Sequence, residues 1–377
     1  MAASNRAVPG VELFGYDLPS IDTPSDTAEI RLQRALHRGV AVAAGAKRLA
    51  RSGFRPDVIF AHPAWGEALF LKDFFPDAKL LLYCENYFRA KGGELGFDPE
   101  FQEGEDAVMR YRVVSAALPL TLETADWGLA PTEWQRNCFP QWFRSRIDVV
   151  HDGIDTTVFA PRARVAFRLP SGRSLAGGEE IVTFIARSLE PHRGFHTFMR
   201  AIPEIQRRRP NAHIVIVGGD GVSYSAALPE GESYRQRMLQ ELAGGIDLDR
   251  VHFCGRVSQS DVLSLLQVSA AHIYLVYPMG LSWSLLEAMS TGCLVVASRT
   301  GPMTEVIEHG RNGWLVDFFS SSQVSETVDV ALRDAARSTA MREAARRTVV
   351  ERYDLRSVCL PAQVKVLERL IGSSPIS

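Results

Sequence analysis

The stretch AHIYLVYPMGLSWSLLEAMSTGCLVVAS, residues 271–298, decides the fold. Residues 271–277 are a short apolar run, 284–291 carry apolar side chains at helical spacing, and 293–298 form a second apolar run after a Thr-Gly turn. Strand, loop, helix, turn, strand, with both strands apolar throughout, reads as a parallel pair covered on both faces. One carboxylate, Glu287, interrupts the apolar helix beside Gly280 and a serine-bearing loop, with no cation nearby in sequence. Ser284-x-x-Glu287 fits a capping box, which needs no ligand. The other explanation is a ligand that brings hydroxyl donors.

The same unit recurs on both sides of this stretch. Upstream come EEIVTFIA (179–186), a helix near 195–208, AHIVIVGG (212–219), a helix near 232–244, VHFCG (251–255) and a helix at 260–269. Downstream lies GWLVD (313–317). The first half is looser: VELFGYDLP (11–19) reads as a short strand, 28–52 as a helix, PDVIFAH (56–62) and AKLLLYCEN (78–86) as strands, and 104–117 as helical. TADWGLAPTEWQRNCF (124–139) and RIDVVHDGID (146–155) close it. The chain has 377 residues, more than one core usually organises, so two domains are expected. The fold class is α/β.

Composition narrows the function. With 46% hydrophobic residues, 23% charged and net charge −2, the chain lacks the basic footprint of a nucleic-acid binder. Five scattered cysteines without C-x-x-C spacing fit neither a zinc site nor a disulfide scaffold. They fit a reducing compartment, and MAASNRAVPG (1–10) is not apolar enough to read as a secretion signal, so a cytoplasmic location is expected.

Parallel sheets bind ligands in loops beyond the carboxyl ends of their strands. RSLEPHRG (187–194) leaves one strand and enters a helix, carrying Arg187 and Arg193 where guanidinium forks and helix-start amides suit phosphate oxygens. Gly280 permits close backbone approach. ASRTGPMTEVIEHGRNGW (297–314) is turn-rich, and Glu305 within it is a weak signal. GGDG (218–221) lacks dinucleotide-fingerprint spacing and reads as a tight turn.

In order, HDGIDTTVFAP, ARSLEPHRGF, IVGGDG, VHFCGRV, LSWSLLEAMSTGCLVVAS and TGPMTEVIEHGRNGWLVD resemble the C-terminal half of the retaining family 4 glycosyltransferases. PDVIFAHPAW, ADWGLAPTEW and RIDVVHDGID resemble their first half more loosely. The resemblance implies the GT-B fold, two Rossmann-like domains facing a cleft, with residues 1–147 on the acceptor side and 148–354 on the donor side. A terminal helix, 355–373, would pack back on the first domain. The implied activity is transfer of a sugar from a UDP- or GDP-sugar to a glycan, lipid or small-molecule acceptor, with retention and without metal or cofactor, the nucleotide sugar being a substrate. Glu287 would accept from the ribose hydroxyls, and Arg187 and Arg193 would flank the diphosphate. Gly280, Leu281 and Ser282 would offer backbone amides, and Arg256 and Val257 would pass the base.

Some features depart from the family. The position eight residues before Glu287, a carboxylate in the family, is Met279, whose thioether is at best a weak acceptor for a sugar hydroxyl. A family histidine near the reacting sugar is matched by Glu85, and His62, at the end of another strand, also faces the cleft by this analogy, so each is a catalytic-side candidate. The family's opening strand, glycine loop and helix have no counterpart before residue 11, so the first domain is expected to lack that unit. The basic stretch 28–53 offers a peripheral membrane contact. Alternative readings are a non-catalytic sugar-nucleotide-binding subunit and a sugar-nucleotide 2-epimerase on a related fold.

Overall fold

A computed structural model of the chain describes residues 9–18, 27–89 and 91–372. Two parallel sheets organise it. The first holds β1 (Val58–Ala61), β2 (Lys79–Tyr83), β3 (Trp127–Ala130) and β4 (Ile147–Val149), side by side in that order. A small antiparallel hairpin, β5 (Ala166–Arg168) and β6 (Ser174–Ala176), follows. The second sheet comprises β7 (Ile181–Ser188), β8 (His213–Gly219), β9 (Val251–Phe253), β10 (Ala271–Tyr274), β11 (Val295–Ser298) and β12 (Trp314–Val316). Its order is β12-β11-β10-β7-β8-β9, every pair parallel. This is the α/β, doubly wound class read from the sequence.

The apolar runs explain the strands. Ile181 to Phe184 and Ile214 to Val217 are all buried, so both faces of β7 and β8 are covered. The helix Phe195–Arg208 covers one face with Phe195, Phe198, Met199, Ile202 and Ile205, a stripe at helical spacing. In the first half, Leu80, Leu82 and Ala130 pack with Leu122, Phe139 and Phe143.

Two local readings of the sequence change. Residues 11–18 form no strand; Leu13 and Phe14 are exposed, and the segment is held by Tyr16, whose hydroxyl donates to Glu67 at 3.0 Å. Gly15 in mid-run weakens strand formation there, and among the described residues no strand precedes Val58. The β5–β6 hairpin was not anticipated. Each of its strands has three residues with one buried position, Phe167 or Leu175, too few for an alternation to show. The expected absence of an opening unit concerns residues 1–20, of which 1–8 and 19–20 lie outside the described residues.

Two of the ties between the halves come from the C-terminal helix and from a strap of the first half. From the C-terminus, Val366 and Leu370 of the helix Leu360–Gly372 pack on Leu81 and Leu129 of the first sheet, and Gln363 donates to the His151 carbonyl at 3.1 Å. From the first half, residues 97–101 strap across the second. Phe97 sits against Tyr277, Phe318 and Phe319 with centroids 5.0–5.2 Å apart. Asp98, 2% exposed, meets His196 Nε2 at 3.1 Å and accepts from the Tyr277 hydroxyl at 2.9 Å. Burial alone would raise the Asp98 pKa, but hydrogen bonds from His196, the Glu100 amide and Tyr277 outweigh it and hold it below the ordinary value. Arg200 forks onto Glu100 and Glu241 beside it. Truncation of Asp98 to alanine strands the polar ends of His196 and Tyr277, at about 1–3 kcal/mol for each unpaired group. Urea unfolding of Asp98→Ala is therefore expected to show a lower midpoint, whereas Glu100→Ala, at an exposed pair, loses about 1 kcal/mol or less. Equal losses for the two variants would remove the strap's claim to join the halves through Asp98.

Candidate functional site

Sheet growth reverses at β7: β8 is laid on one side of it and β10 on the other. The loops leaving β7 and β10 thus depart to opposite faces and open a crevice at their carboxyl ends, the switch point where doubly wound sheets bind ligands. The loop after β7 carries Glu190 to Gly194; the loop after β10 carries Leu275 to Ser282.

These loops are knitted together. The Tyr277 amide donates to the His192 carbonyl at 3.1 Å, and the two rings lie 4.3 Å apart. Gly194, at φ +66°, has Leu275 Cβ only 2.2 Å from where its own Cβ would stand, so no other residue fits. The fully buried Glu190 accepts on one carboxylate oxygen from the amides of Ser223, Tyr224 and Ser225 at 2.9–3.1 Å. It fastens the loop after β8 to the loop after β7. On the far side, Ser298 and Thr300 hydroxyls donate to the Val276 carbonyl at 3.1 and 3.0 Å. His192, pushed down to about 4 by burial, is neutral at physiological pH, with Nδ1 2.9 Å from Ser225 Oγ.

On this frame the expected residues fall as follows. Arg187 is exposed at the end of β7, and Arg193 is half-buried with its guanidinium 5.2 Å above the Tyr224 ring. Among the described residues neither forms an ion pair or hydrogen bond. Leu281 is buried in the core, while Ser282 caps the helix Trp283–Ser290, its Oγ accepting from the Ser284 amide at 3.3 Å. This corrects the capping-box reading: Ser284 lies inside the first turn, so Glu287 has no capping task. The Glu287 carboxylate is half-buried and has no hydrogen bond or ion pair among the described residues, and burial raises its pKa. Arg256 lies over the backbone at the end of β8, its Nε 2.7 Å from where a Gly219 Cβ would stand. Val257 packs against the cluster of Phe167 and Leu175.

On the opposite wall, His62 and Glu85, read separately from sequence, form a pair with His62 Nε2 3.2 Å from Glu85 Oε2. The Ala64 amide donates to His62 Nδ1 at 3.2 Å, which places the imidazole proton on Nε2, pointing at Glu85. Gln135 donates to the Glu85 carbonyl at 2.8 Å and lies 3.0 Å from the Cβ direction of Gly280, so the two walls meet there.

Sequence reasoning missed three participants. Asp152, inside the quoted HDGID run, accepts from Trp283 Nε1 at 2.7 Å and from the Tyr83 hydroxyl at 2.8 Å, joining the switch-point helix to β2. Tyr277 joins the strap to the β7 loop. Glu190, a carboxylate within RSLEPHRG, was passed over for the arginines. Glu305 is structural, accepting from the amides of Glu133 and Trp134 across the halves. Among the described residues, no three His, Cys, Asp or Glu side chains gather as a metal site requires.

Two facing parallel-sheet domains with a switch-point crevice define the GT-B architecture, and comparison with known proteins gives the family. Residues 1–159 match the glycosyl transferase family 4 group, and residues 171–348 match glycosyl transferases group 1. The chain belongs to the family 4 glycosyltransferases. A D-inositol 3-phosphate glycosyltransferase of Mycobacterium tuberculosis is 31% identical over 189 residues, 50% of this chain and 36% of the relative. The chain thus matches about a third of the length of that curated relative. Among solved structures, the sucrose-phosphate synthase of Thermosynechococcus elongatus superposes with TM-score 0.70 at 18% identity, covering 91% of this chain and 80% of that one. Anabaena HepE in complex with UDP-glucose gives 0.62 at 18% identity, covering 87% and 82%.

The unpartnered Glu287 has a stability signature. Its folded pKa lies above the ordinary 4.5, so the folded chain holds that proton more tightly than the unfolded chain. Ionised Glu287 therefore penalises the folded state above its folded pKa, and the penalty fades as pH falls below the ordinary value. Glu287→Gln is expected to raise the unfolding midpoint of the ligand-free protein at pH 7, with the gain gone by about pH 4. A variant less stable than the parent at pH 7 would mean that the carboxylate has a structural partner.

Proposed function

We propose that this chain is a retaining glycosyltransferase that takes a sugar from a UDP- or GDP-sugar and delivers it to an acceptor hydroxyl, without a metal or further cofactor. The observation that carries the reading is the half-buried, unpartnered Glu287 at the switch point. A carboxylate taken from water without a cation is suited to two vicinal hydroxyls, as on a ribose, each donating to one oxygen. Arg187 and Arg193, both unpaired, supply charge for a diphosphate, and the Gly280–Ser282 backbone supplies neutral donors. HepE, of the same fold, has been solved with UDP-glucose.

In this mechanism the bond between the anomeric carbon and the phosphate oxygen breaks, and its electron pair stays on the diphosphate. The arginines stabilise that charge as it develops. The acceptor hydroxyl attacks from the face the phosphate leaves, and the phosphate takes its proton. His62 spends its Nε2 proton on Glu85, and the pair stands on the cleft wall as the catalytic-side element of this reading. We further propose a cytoplasmic protein; no described helix is long and apolar enough to cross a membrane. A peripheral membrane contact through the helix Ala28–Arg51 would use the exposed face with Leu36 and Val40, since Ala28, Ala35, Gly39 and Ala46 are buried in the fold.

Nucleotide-sugar turnover tests the reading directly. With a panel of UDP- and GDP-sugars, one donor is expected to release nucleoside diphosphate faster when acceptors are supplied. An altered sugar formed without acceptor identifies an epimerase, and tight donor binding without turnover a binding subunit, the reading that Met279 favours. Calorimetry of Arg187→Ala and Arg193→Ala should show roughly ten- to a hundred-fold weaker nucleoside diphosphate binding, the equivalent of about 1.5–3 kcal/mol for a charge-assisted hydrogen bond, with much smaller losses for the bare nucleoside. Equal losses for both ligands would exclude a diphosphate clamp.

A further inference from the structure

Two recesses meet on the first half of the chain. One is a narrow crevice that reaches the switch-point loop at Pro278 and Met279. The other is an open pocket of about 300 Å3, floored by Arg112, Ser115, Ala116 and Pro119. Tyr87, Phe88 and Arg89 form a wall common to both. A ligand in the larger pocket thus lies one wall away from the loop assigned to the donor.

The chemistry of the larger pocket is specific. Two guanidinium groups, Arg89 and Arg112, line it, and no carboxylate does. Neither arginine makes an ion pair among the described residues. One terminal nitrogen of Arg89 donates to the Gly92 carbonyl at 3.1 Å, its plane lies 5.9 Å from the Trp134 ring, and its buried Nε has no partner. Guanidinium groups that line an open pocket with no carboxylate beside them suit an anionic ligand. Ser115 already spends its hydroxyl proton on the Phe88 carbonyl at 3.2 Å. The remaining walls, Tyr87, Phe88, Ala116 and Pro119, are apolar. Guanidinium forks suit phosphate oxygens, and flat apolar walls suit the face of a ring whose hydroxyls point elsewhere.

We propose that this pocket holds the acceptor, a small soluble polyol or sugar carrying a phosphate monoester, with the phosphate on Arg89 and Arg112 and the ring on the wall toward Met279. The word acceptor rests on the transferase reading above; the anion-binding pocket stands on its own residues.

Calorimetry separates the two. The probes are glucose 6-phosphate and myo-inositol 1-phosphate, with glucose, myo-inositol and inorganic phosphate as controls, and UDP and GDP titrated in parallel. At least one phosphorylated probe is expected to bind ten-fold or more tightly than its neutral counterpart and than inorganic phosphate. Arg112→Gln, at an exposed position of the helix Ala107–Val114, should erase at least ten-fold of that advantage, and its unfolding midpoint shows that it folds. Equal binding of phosphorylated and neutral probes, no binding of either, or an unaltered advantage in Arg112→Gln overturns the proposal. Inorganic phosphate binding as well as the esters reduces the pocket to an anion hole and overturns it too, as does binding confined to phosphatidylinositol vesicles. Failure of UDP and GDP alone counts against the nucleotide-sugar reading and leaves the phosphorylated probes to decide this one.

Discussion

The hydrogen bond from the Tyr277 amide to the His192 carbonyl spans the point where the second sheet reverses its direction of growth. Strand order alone brings the loops after β7 and β10 near each other; this bond and the 4.3 Å ring contact beside it set their separation. The glycine at 194 is forced by the same approach, since Leu275 occupies the space of any side chain there. Arg193, the Gly280–Ser282 backbone and Glu287 hang from these two loops or from the helix that the second one starts, whereas Arg187 ends β7 and Arg256 and Val257 follow β9. Glu190, within the first loop, ties the loop after β8 to it, and Ser298 donates to the Val276 carbonyl of the second.

Within that frame the charged residues separate into two groups. Glu305, Asp98 and Asp152 each accept from amides, hydroxyls or ring N–H groups of the protein, and Glu190 accepts three amides on one of its two oxygens. Glu287, Arg187 and Arg193 have no ion pair among the described residues. A partly buried carboxylate without a partner lowers stability, and its raised pKa is the mark of that cost. Perturbed, unpartnered groups cluster at functional sites, and here Glu287, Arg187 and Arg193 occupy the crevice that the sheet topology opens between β7 and β10.

Much of this was legible in the sequence because the second sheet is buried on both faces. Strands such as IVTFIA and HIVIV are uniformly apolar, and the polar loops between them stand out by contrast. Glu287 was legible as an anomaly, though its local sequence offered a capping role that only the position of Ser282 as N-cap removed. The β5–β6 hairpin was illegible, with one buried side chain per strand. The segment 11–18 misled, because its alternating apolar residues mimic a strand that pairs with nothing. Partners distant in sequence, Asp98 with His196, Asp152 with Trp283 and His62 with Glu85, leave no local pattern and emerge only from the fold.

These distant partners change what the donor site is. Tyr277 belongs to the β10 loop, yet its hydroxyl is held by Asp98 of the first half, while its amide holds the β7 loop. Trp283 starts the helix that bears Glu287, yet its indole N–H is held by Asp152, which also takes the hydroxyl of Tyr83 at the end of β2. Gly280 approaches Gln135, which fixes the backbone of Glu85. The crevice is therefore built by both halves, and residues of the first half position the loops that the proposed donor would meet. Hydrogen bonds and contacts at Asp98, Asp152 and Gln135 thus join the first half to the β10 loop and to the helix that follows it.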